Sequence, residues 1–173
     1  FNKSHAAAYA LIAYQTAYLK HYHKEDFIAA TMNTEISNTD KLREFVEELK
    51  RLNIEVIRPC INECYADFKP YKNKILYALS GIKSVGREAI LNVVNEREKN
   101  GKFKSLNDFI NRVNPKDINK LQLEGLAKAG AFDKLEKNRN SIIKSIPRLI
   151  QLNKSLWDEK SSNQNSLFTN GTN

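Results

Sequence analysis

Residues 79–90 read Leu-Ser-Gly-Ile-Lys-Ser-Val-Gly-Arg-Glu-Ala-Ile, and this stretch limits the possible folds more than any other. Gly81 and Gly86 bracket Ile82, Lys83, Ser84 and Val85, and an amphipathic run from Glu88 to Arg97 follows. Glycine takes positive φ at little cost and lets a backbone approach a partner closely. The spacing predicts a sharp bend closed by apolar residues, with a helix starting just after Gly86. The first amides of such a helix have no intrahelical acceptor and lie at the positive end of its dipole, which suits an anion. The same Gly-x-x-x-x-Gly spacing also occurs at plain packing corners between helices, and the residues alone leave that reading open.

With Ile82, Lys83 and Val85 filling the bend and Arg87 behind it, the pattern is that of a helix-hairpin-helix. Such a motif grips a nucleic-acid backbone without reading bases, because phosphates carry no sequence information. The expected DNA contacts are Gly81, Ile82, Lys83, Ser84, Val85, Gly86 and Arg87. Lysine and arginine number 28 against 20 acidic residues, a net charge of +8, in keeping with a polyanionic partner. Abundant lysine, asparagine and isoleucine are equally what AT-rich coding produces, so charge counts only where it coincides with a motif.

Cys60 and Cys64 are the only cysteines, with no histidine near them. A structural zinc site takes four ligands, so no metal is expected here. Two thiols without a signal peptide fit a reducing cytoplasm. The longest apolar run, Ala6 to Tyr14, is too short to span a bilayer, so no membrane partner is expected.

The periodicity predicts a mainly α chain in four parts. Residues 1–52 read as helices. Ser4 is a suitable N-cap for the first, and apolar residues on all its sides predict burial against several neighbours. The chain opens on Phe1-Asn2-Lys3 without an initiator methionine, from which a piece of a larger protein is expected. Further helices are expected over Lys24–Thr34 and Asp40–Leu52, the latter with Leu42, Phe45, Val46, Leu49 and Leu52 inward. Residues 53–78 form a small β connection, with strands at Ile54–Ile57 and Lys74–Ala78. Residues 79–152 return to helix. A run from Glu88 to Lys99 ends at Gly101, and Ser105 with Asp108 resembles a capping box. Asp117–Ala129 ends at Gly130, and Asn138–Leu152 is expected to kink or break at Pro147. Residues 153–173 are polar, lack periodicity and read as a flexible, disordered C-terminal tail.

Leu126-Ala127-Lys128-Ala129-Gly130-Ala131-Phe132-Asp133 looks like a second hairpin with a single glycine. Lys128 and Gly130 are its candidate DNA residues, although a scaffold role beside the first hairpin is the stronger expectation. In the tail, Leu167 and Phe168 have little folding purpose and read as anchors for a partner's pocket. His21 and His23 suit the negative end of a helix better than a ligand role.

Several segments carry a family resemblance: Phe1-Asn2-Lys3-Ser4-His5-Ala6-Ala7-Ala8-Tyr9, Tyr14-Gln15-Thr16-Ala17-Tyr18-Leu19-Lys20, Gly81–Gly86 and Lys128–Asp133. Together, and in this order, they resemble the bacterial replicative DNA polymerase III alpha subunits. The resemblance implies the end of a helical fingers domain (1–52), then a tandem helix-hairpin-helix module (79–152). Gln164, Asn165, Ser166, Leu167 and Phe168 are similar to the family's sliding-clamp-binding motif, with Asn165 departing from the usual aliphatic second residue. The implied partners are duplex DNA, the sliding clamp (beta subunit) and other replicase subunits. Lys3, Ser4 and His5 would lie near the incoming nucleotide. The family transfers nucleotides with two metal ions, Mg2+ in the full-length enzyme, held by palm-domain aspartates. Asp26, Asp40, Asp67, Asp108, Asp117, Asp133 and Asp158 are scattered, so no cofactor and no polymerase activity are expected of this chain alone. A noncatalytic helix-hairpin-helix adaptor and a DNA repair protein are the alternatives.

Overall fold

The computed structural model describes the backbone of residues 3–169 and the side-chain surroundings of residues 3–160. Among these the chain is mainly α, as expected, with one small sheet. It divides into two compact units: Phe1–Ile57 with Phe68–Leu76, and Arg58–Asp67 with Tyr77–Asn173. The stretch expected as a separate β connection, 53–78, is thus shared between the two.

The first unit holds α1 (Lys3–Tyr22), α2 (Lys24–Thr34), α3 (Thr39–Arg51) and the strands β1 (Glu55–Ile57), β2 (Lys69–Pro70) and β3 (Lys74–Leu76). Asn38 caps α3, its side chain accepting from the Lys41 amide at 3.2 Å, and the helix buries Leu42 and Leu49. The sheet order is β1-β3-β2, with β1 parallel and β2 antiparallel to β3. Strand β2 escapes the sequence because two residues give no alternation and one is proline, tolerated only at an edge. A side chain supplies what so short a strand lacks. Asn33 of α2 donates its Nδ2 to the Phe68 carbonyl at 2.9 Å and accepts from the Phe68 amide at 2.7 Å.

Helix α1 corrects two expectations. Ser4 lies inside the helix, which already includes Lys3, so it is not the N-cap. No residue of α1 is buried, and Tyr9, Leu11, Ile12, Tyr14, Tyr18, Leu19 and Tyr22 are exposed. The burial expected on its several sides is not supplied by the described residues. The rings of Tyr14, Tyr18 and Tyr22 follow one another at helical spacing, with centroids 6.4 Å and 4.6 Å apart.

The second unit contains a 3-10 turn at Leu79–Gly81, then α4 (Arg87–Asn100), α5 (Leu106–Arg112), α6 (Lys120–Ala129) and α7 (Arg139–Thr169). Phe103, Phe109 and Phe132 meet edge to face in its core, with centroids 5.0 Å and 5.2 Å apart. Ser105 caps α5 by accepting from the Asp108 amide at 3.0 Å. Asp108 turns back to the Lys104 amide instead of closing the expected box with Ser105. Helix α6 starts three residues later than expected, because Asn119 and Gln122 form a reciprocal capping box.

Helix α7 corrects the reading that helix ends at Leu152, and Pro147 does not terminate it. Asn153, 1% exposed, donates from Nδ2 to the carbonyls of Ile110 at 2.6 Å and Val113 at 2.8 Å. An amide beyond the expected end thus satisfies the last carbonyls of α5. Polar composition alone gave no hint of this, since asparagine is common in loops and tails. Cys60 and Cys64 are free and buried, and burial pushes the Cys64 thiol up to about 11, as expected of inert structural thiols. Among the described residues no helix is long and apolar enough to cross a membrane.

Candidate nucleic-acid interface

The bend at Gly81–Gly86 hangs from the segment Tyr65–Ala66. The Leu79 amide donates to the Tyr65 carbonyl at 2.8 Å and the Ser80 amide to that of Ala66 at 3.1 Å. The Ser80 hydroxyl adds a bond to the Ala66 carbonyl at 2.6 Å. A buried arginine steadies this support from the other side. Arg97 is 5% exposed, and its Nη1 donates to the carbonyls of Ile61 at 2.9 Å and Cys64 at 2.7 Å. Its guanidinium lies 4.8 Å from the centre of the Tyr65 ring. Asn62 pins the same segment to Phe103 through a pair of bonds, both at 2.8 Å.

Within the bend, Val85 donates its amide to the Ile82 carbonyl at 3.1 Å, closing a four-residue turn. Ser84 carries the positive φ, 68°, while Lys83 is not in that region. This is the third position of a type II turn, where glycine is usual. The expectation that Gly81 and Gly86 supply positive φ is corrected: neither does, and Gly86 is extended at φ −78° and ψ 139°. A Cβ on Gly86 would come 3.3 Å from Nε2 of Gln122, the far end of a side chain that need yield only a few tenths of an ångström. Gly125 of α6 comes closer still: its Cβ would stand 2.7 Å from the Lys83 carbonyl oxygen. Glycine in mid-helix costs about 1 kcal/mol relative to alanine, and here it lets α6 lie directly beneath the bend.

Val85 is buried and Ile82 half-buried, so the apolar pair faces inward while Lys83 and Ser84 face solvent. Gly86 offers no side-chain cap to α4, and among the described residues no side chain bonds the first amides of that helix. Lys83 makes no ion pair among the described residues. Arg87 differs. Its Nε and Nη2 reach Asp67 at 2.9 Å and 2.6 Å, and this bond with its charge raises the arginine's pKa further.

The second hairpin joins α6 to α7 and is closed by its own side chains. Gly130 is left-handed, φ 82° and ψ 16°, and caps α6 as expected. A Cβ on it would run into the Arg139 guanidinium and the Asp133 carboxylate. Arg139 holds Asp133 through Nε at 2.8 Å and donates from Nη1 to the Lys128 carbonyl at 3.1 Å. Its hydrogen bond and charge keep the Asp133 carboxyl below the usual aspartate range. Asn138 accepts from the Ser141 amide at 3.0 Å, so the start of α7 is capped. The exposed Lys128 ammonium lies 3.6 Å from Glu124. The two bends are therefore unequal: one leaves its helix amides uncapped, the other spends them internally.

Lys3, Ser4 and His5 lie exposed at the beginning of α1. Gln164, Asn165, Ser166, Leu167 and Phe168 fall outside the residues whose side chains are described. Among the described residues no three of His, Cys, Asp or Glu stand together so as to hold a metal ion.

A bend closed by inward apolar residues, set between a short turn and an uncapped helix, defines a hairpin class, and the chain belongs to it. The family model described as a helix-hairpin-helix motif matches residues 53–142. Over nearly its whole length the chain is also similar to DNA polymerase III subunit alpha of several bacteria. It is 47% identical over 168 residues to that of Borreliella burgdorferi and 44% identical over 168 residues to that of Caulobacter vibrioides. With that of Xylella fastidiosa it shares 43% identity over 171 residues. These matches take in 97–98% of this chain, which spans about 15% of the length of these relatives.

Proposed function

We propose that this chain is the part of a bacterial replicative DNA polymerase III alpha subunit that holds duplex DNA by its sugar–phosphate backbone. The observation that carries the reading is the uncapped start of α4 beside the unpaired, exposed Lys83. Backbone amides at a helix start place a phosphate oxygen, and an ammonium next to them adds a point charge. Arg87, already held by Asp67, contributes as a fixture of the helix start more than as a free cation. The second hairpin acts as scaffold, because its amides and its arginine are engaged internally. Backbone amides and an ammonium recognise phosphate, which carries no sequence information, so affinity is independent of sequence.

In the longer protein, α1 to α3 belong to the fingers, and Lys3, Ser4 and His5 approach the incoming nucleotide. Nucleotide transfer and its Mg2+ belong to carboxylates elsewhere in that protein, and this chain alone is inactive. The segment Gln164–Phe168 docks on the sliding clamp, which holds the enzyme on DNA by raising its local concentration. The setting is chromosome replication in the cytoplasm.

The test is binding of the chain to a labelled duplex across a series of salt concentrations. Phosphate contacts give a steep negative slope of log affinity against log salt. Lys83→Glu is expected to weaken binding about tenfold, equally for unrelated sequences, and to flatten the slope. An affinity indifferent to salt would identify a protein-binding adaptor instead. For the tail, Leu167→Ala combined with Phe168→Ala is expected to abolish binding to purified clamp while circular dichroism stays unchanged. Undiminished clamp binding in that double variant removes the motif from the reading.

A further inference from the structure

The first unit carries an aromatic, basic turn that the duplex-binding reading does not use. Strands β2 and β3 pair with Lys69 opposite Leu76 and Pro70 opposite Ile75. Beyond them Tyr71 and Lys74 exchange backbone bonds, at 2.8 Å from the Tyr71 amide and 3.1 Å from the Lys74 amide. The two residues between, Lys72 and Asn73, are both left-handed, at φ 47° and 59°. This is a two-residue type I′ turn, whose twist matches that of the strands it joins. The Asn33 bonds to both backbone groups of Phe68 fix the base of the same hairpin to α2. A short hairpin held at its base and closed by a matching turn presents its tip rigidly.

What the tip presents is unusual for so small an element. Tyr71 is 54% exposed, whereas Phe68 and Ile75, three and four residues away, are 3% and 0% exposed. The Lys72 ammonium lies 5.3 Å from the Tyr71 ring centre. From Phe68 to Lys74 the sequence is Phe-Lys-Pro-Tyr-Lys-Asn-Lys, with three lysines and no carboxylate. Glu55 of β1 pairs with Lys74 at 2.6 Å, while Lys72, at the turn itself, makes no ion pair among the described residues. An exposed tyrosine by itself means little, since folded surfaces are largely apolar. An exposed ring on a stiff, cationic mount matches the elements that bind unpaired nucleic acid, an aromatic platform with a positive track for the backbone.

We propose that the Lys69–Lys74 hairpin is a contact for single-stranded DNA, with Tyr71 stacking on one unpaired base and Lys72 meeting an adjacent phosphate. Charge complementarity selects a polyanion over an ordinary protein surface. The ring selects a single strand over a duplex, because inside a duplex both faces of each base are already stacked. The contact reads no sequence, since every base has a flat face. It stands independently of the Gly81–Gly86 grip, which lies in the other unit.

The test uses the 173-residue chain, a dye-labelled 12-nucleotide oligo-dT and, in parallel, a labelled duplex, both followed by fluorescence anisotropy. Tyr71→Ala is expected to weaken oligo-dT binding about tenfold, the order of one lost base stack, with duplex affinity unchanged. Tyr71→Trp is expected to hold or tighten oligo-dT binding, because a larger ring stacks at least as well. Lys72→Glu should weaken oligo-dT binding and flatten its salt dependence. Lys83→Glu, which tests the duplex grip, should leave the Tyr71→Ala effect on oligo-dT intact, so the two readings fail separately. The proposal is overturned if the unaltered chain does not bind oligo-dT, or if Tyr71→Ala binds it as tightly as the unaltered chain. Equal loss in Tyr71→Ala and Tyr71→Trp, or equal loss toward oligo-dT and duplex, overturns it as well.

Discussion

Arg97→Met is expected to destabilise the second unit by about 3–5 kcal/mol, because it strands the carbonyls of Ile61 and Cys64 without donors. Methionine fills similar volume, so the loss comes from unmet hydrogen bonds and not from a cavity. The change also reaches the Gly81–Gly86 bend without touching it. Residues 61–66 lose the side chain that grips two of their carbonyls, and the amides of Leu79 and Ser80 hang from that segment. Urea unfolding followed by the fluorescence of Trp157, the only tryptophan and a residue of α7, reads the stability loss. Duplex binding without urea reads the loosened bend as lower affinity with an unaltered salt slope, since no phosphate-facing charge has changed. Arg97→Lys should recover only part of the stability, as an ammonium lacks the flat guanidinium that lies against the Tyr65 ring and the second nitrogen that bonds Glu98. A urea midpoint unchanged in Arg97→Met would show that water satisfies those carbonyls, and the support for the bend would have to lie elsewhere.

Arg97 also shows where the sequence stopped being legible. In α4 it falls among Glu96, Glu98 and Lys99, and a charged residue near a helix end normally points to water. Its burial depends on a segment more than thirty residues earlier, which local periodicity does not reach. Asn33, Asn62 and Asn153 escaped for the same reason: each replaces missing backbone pairing with a side-chain amide, and the partner lies far away in the chain. Helix positions were legible, because spacing of apolar residues and local caps act within a few residues. The bend at Gly81–Gly86 was legible as a bend, while its workings were not. Positive φ falls on Ser84, and the glycine that governs its packing is Gly125, in a helix forty residues on. The neutralising partner of Arg87, Asp67, comes from an irregular loop with no pattern to announce it. Polar composition after Leu152 suggested loss of order, yet the buried Asn153 shows that a polar residue can end one helix while continuing another.

Phe109→Ala is expected to cost about 3–5 kcal/mol, the usual range for removing a fully buried phenylalanine. Phe109 is 0% exposed and stands between Phe103 and Phe132, so truncation removes both edge-to-face contacts and leaves a cavity between them. The consequence differs from that of Arg97→Met. Phe132 sits in the second hairpin, next to the left-handed Gly130, and Phe103 is tied by its backbone to Asn62. Loss of the middle ring therefore slackens the joint that sets the scaffold hairpin, while the bonds of Leu79 and Ser80 to residues 65–66 remain. In urea the Trp157 transition should shift to lower concentration with an unchanged slope, since the surface exposed on unfolding is nearly the same. At urea concentrations where the variant is still fully folded, duplex affinity should stay close to that of the unaltered chain. If Phe109→Ala instead lowers duplex affinity as much as Lys83→Glu does, the second hairpin contacts DNA on equal terms with the first. Its internal Arg139–Asp133 pair would then have to open on binding.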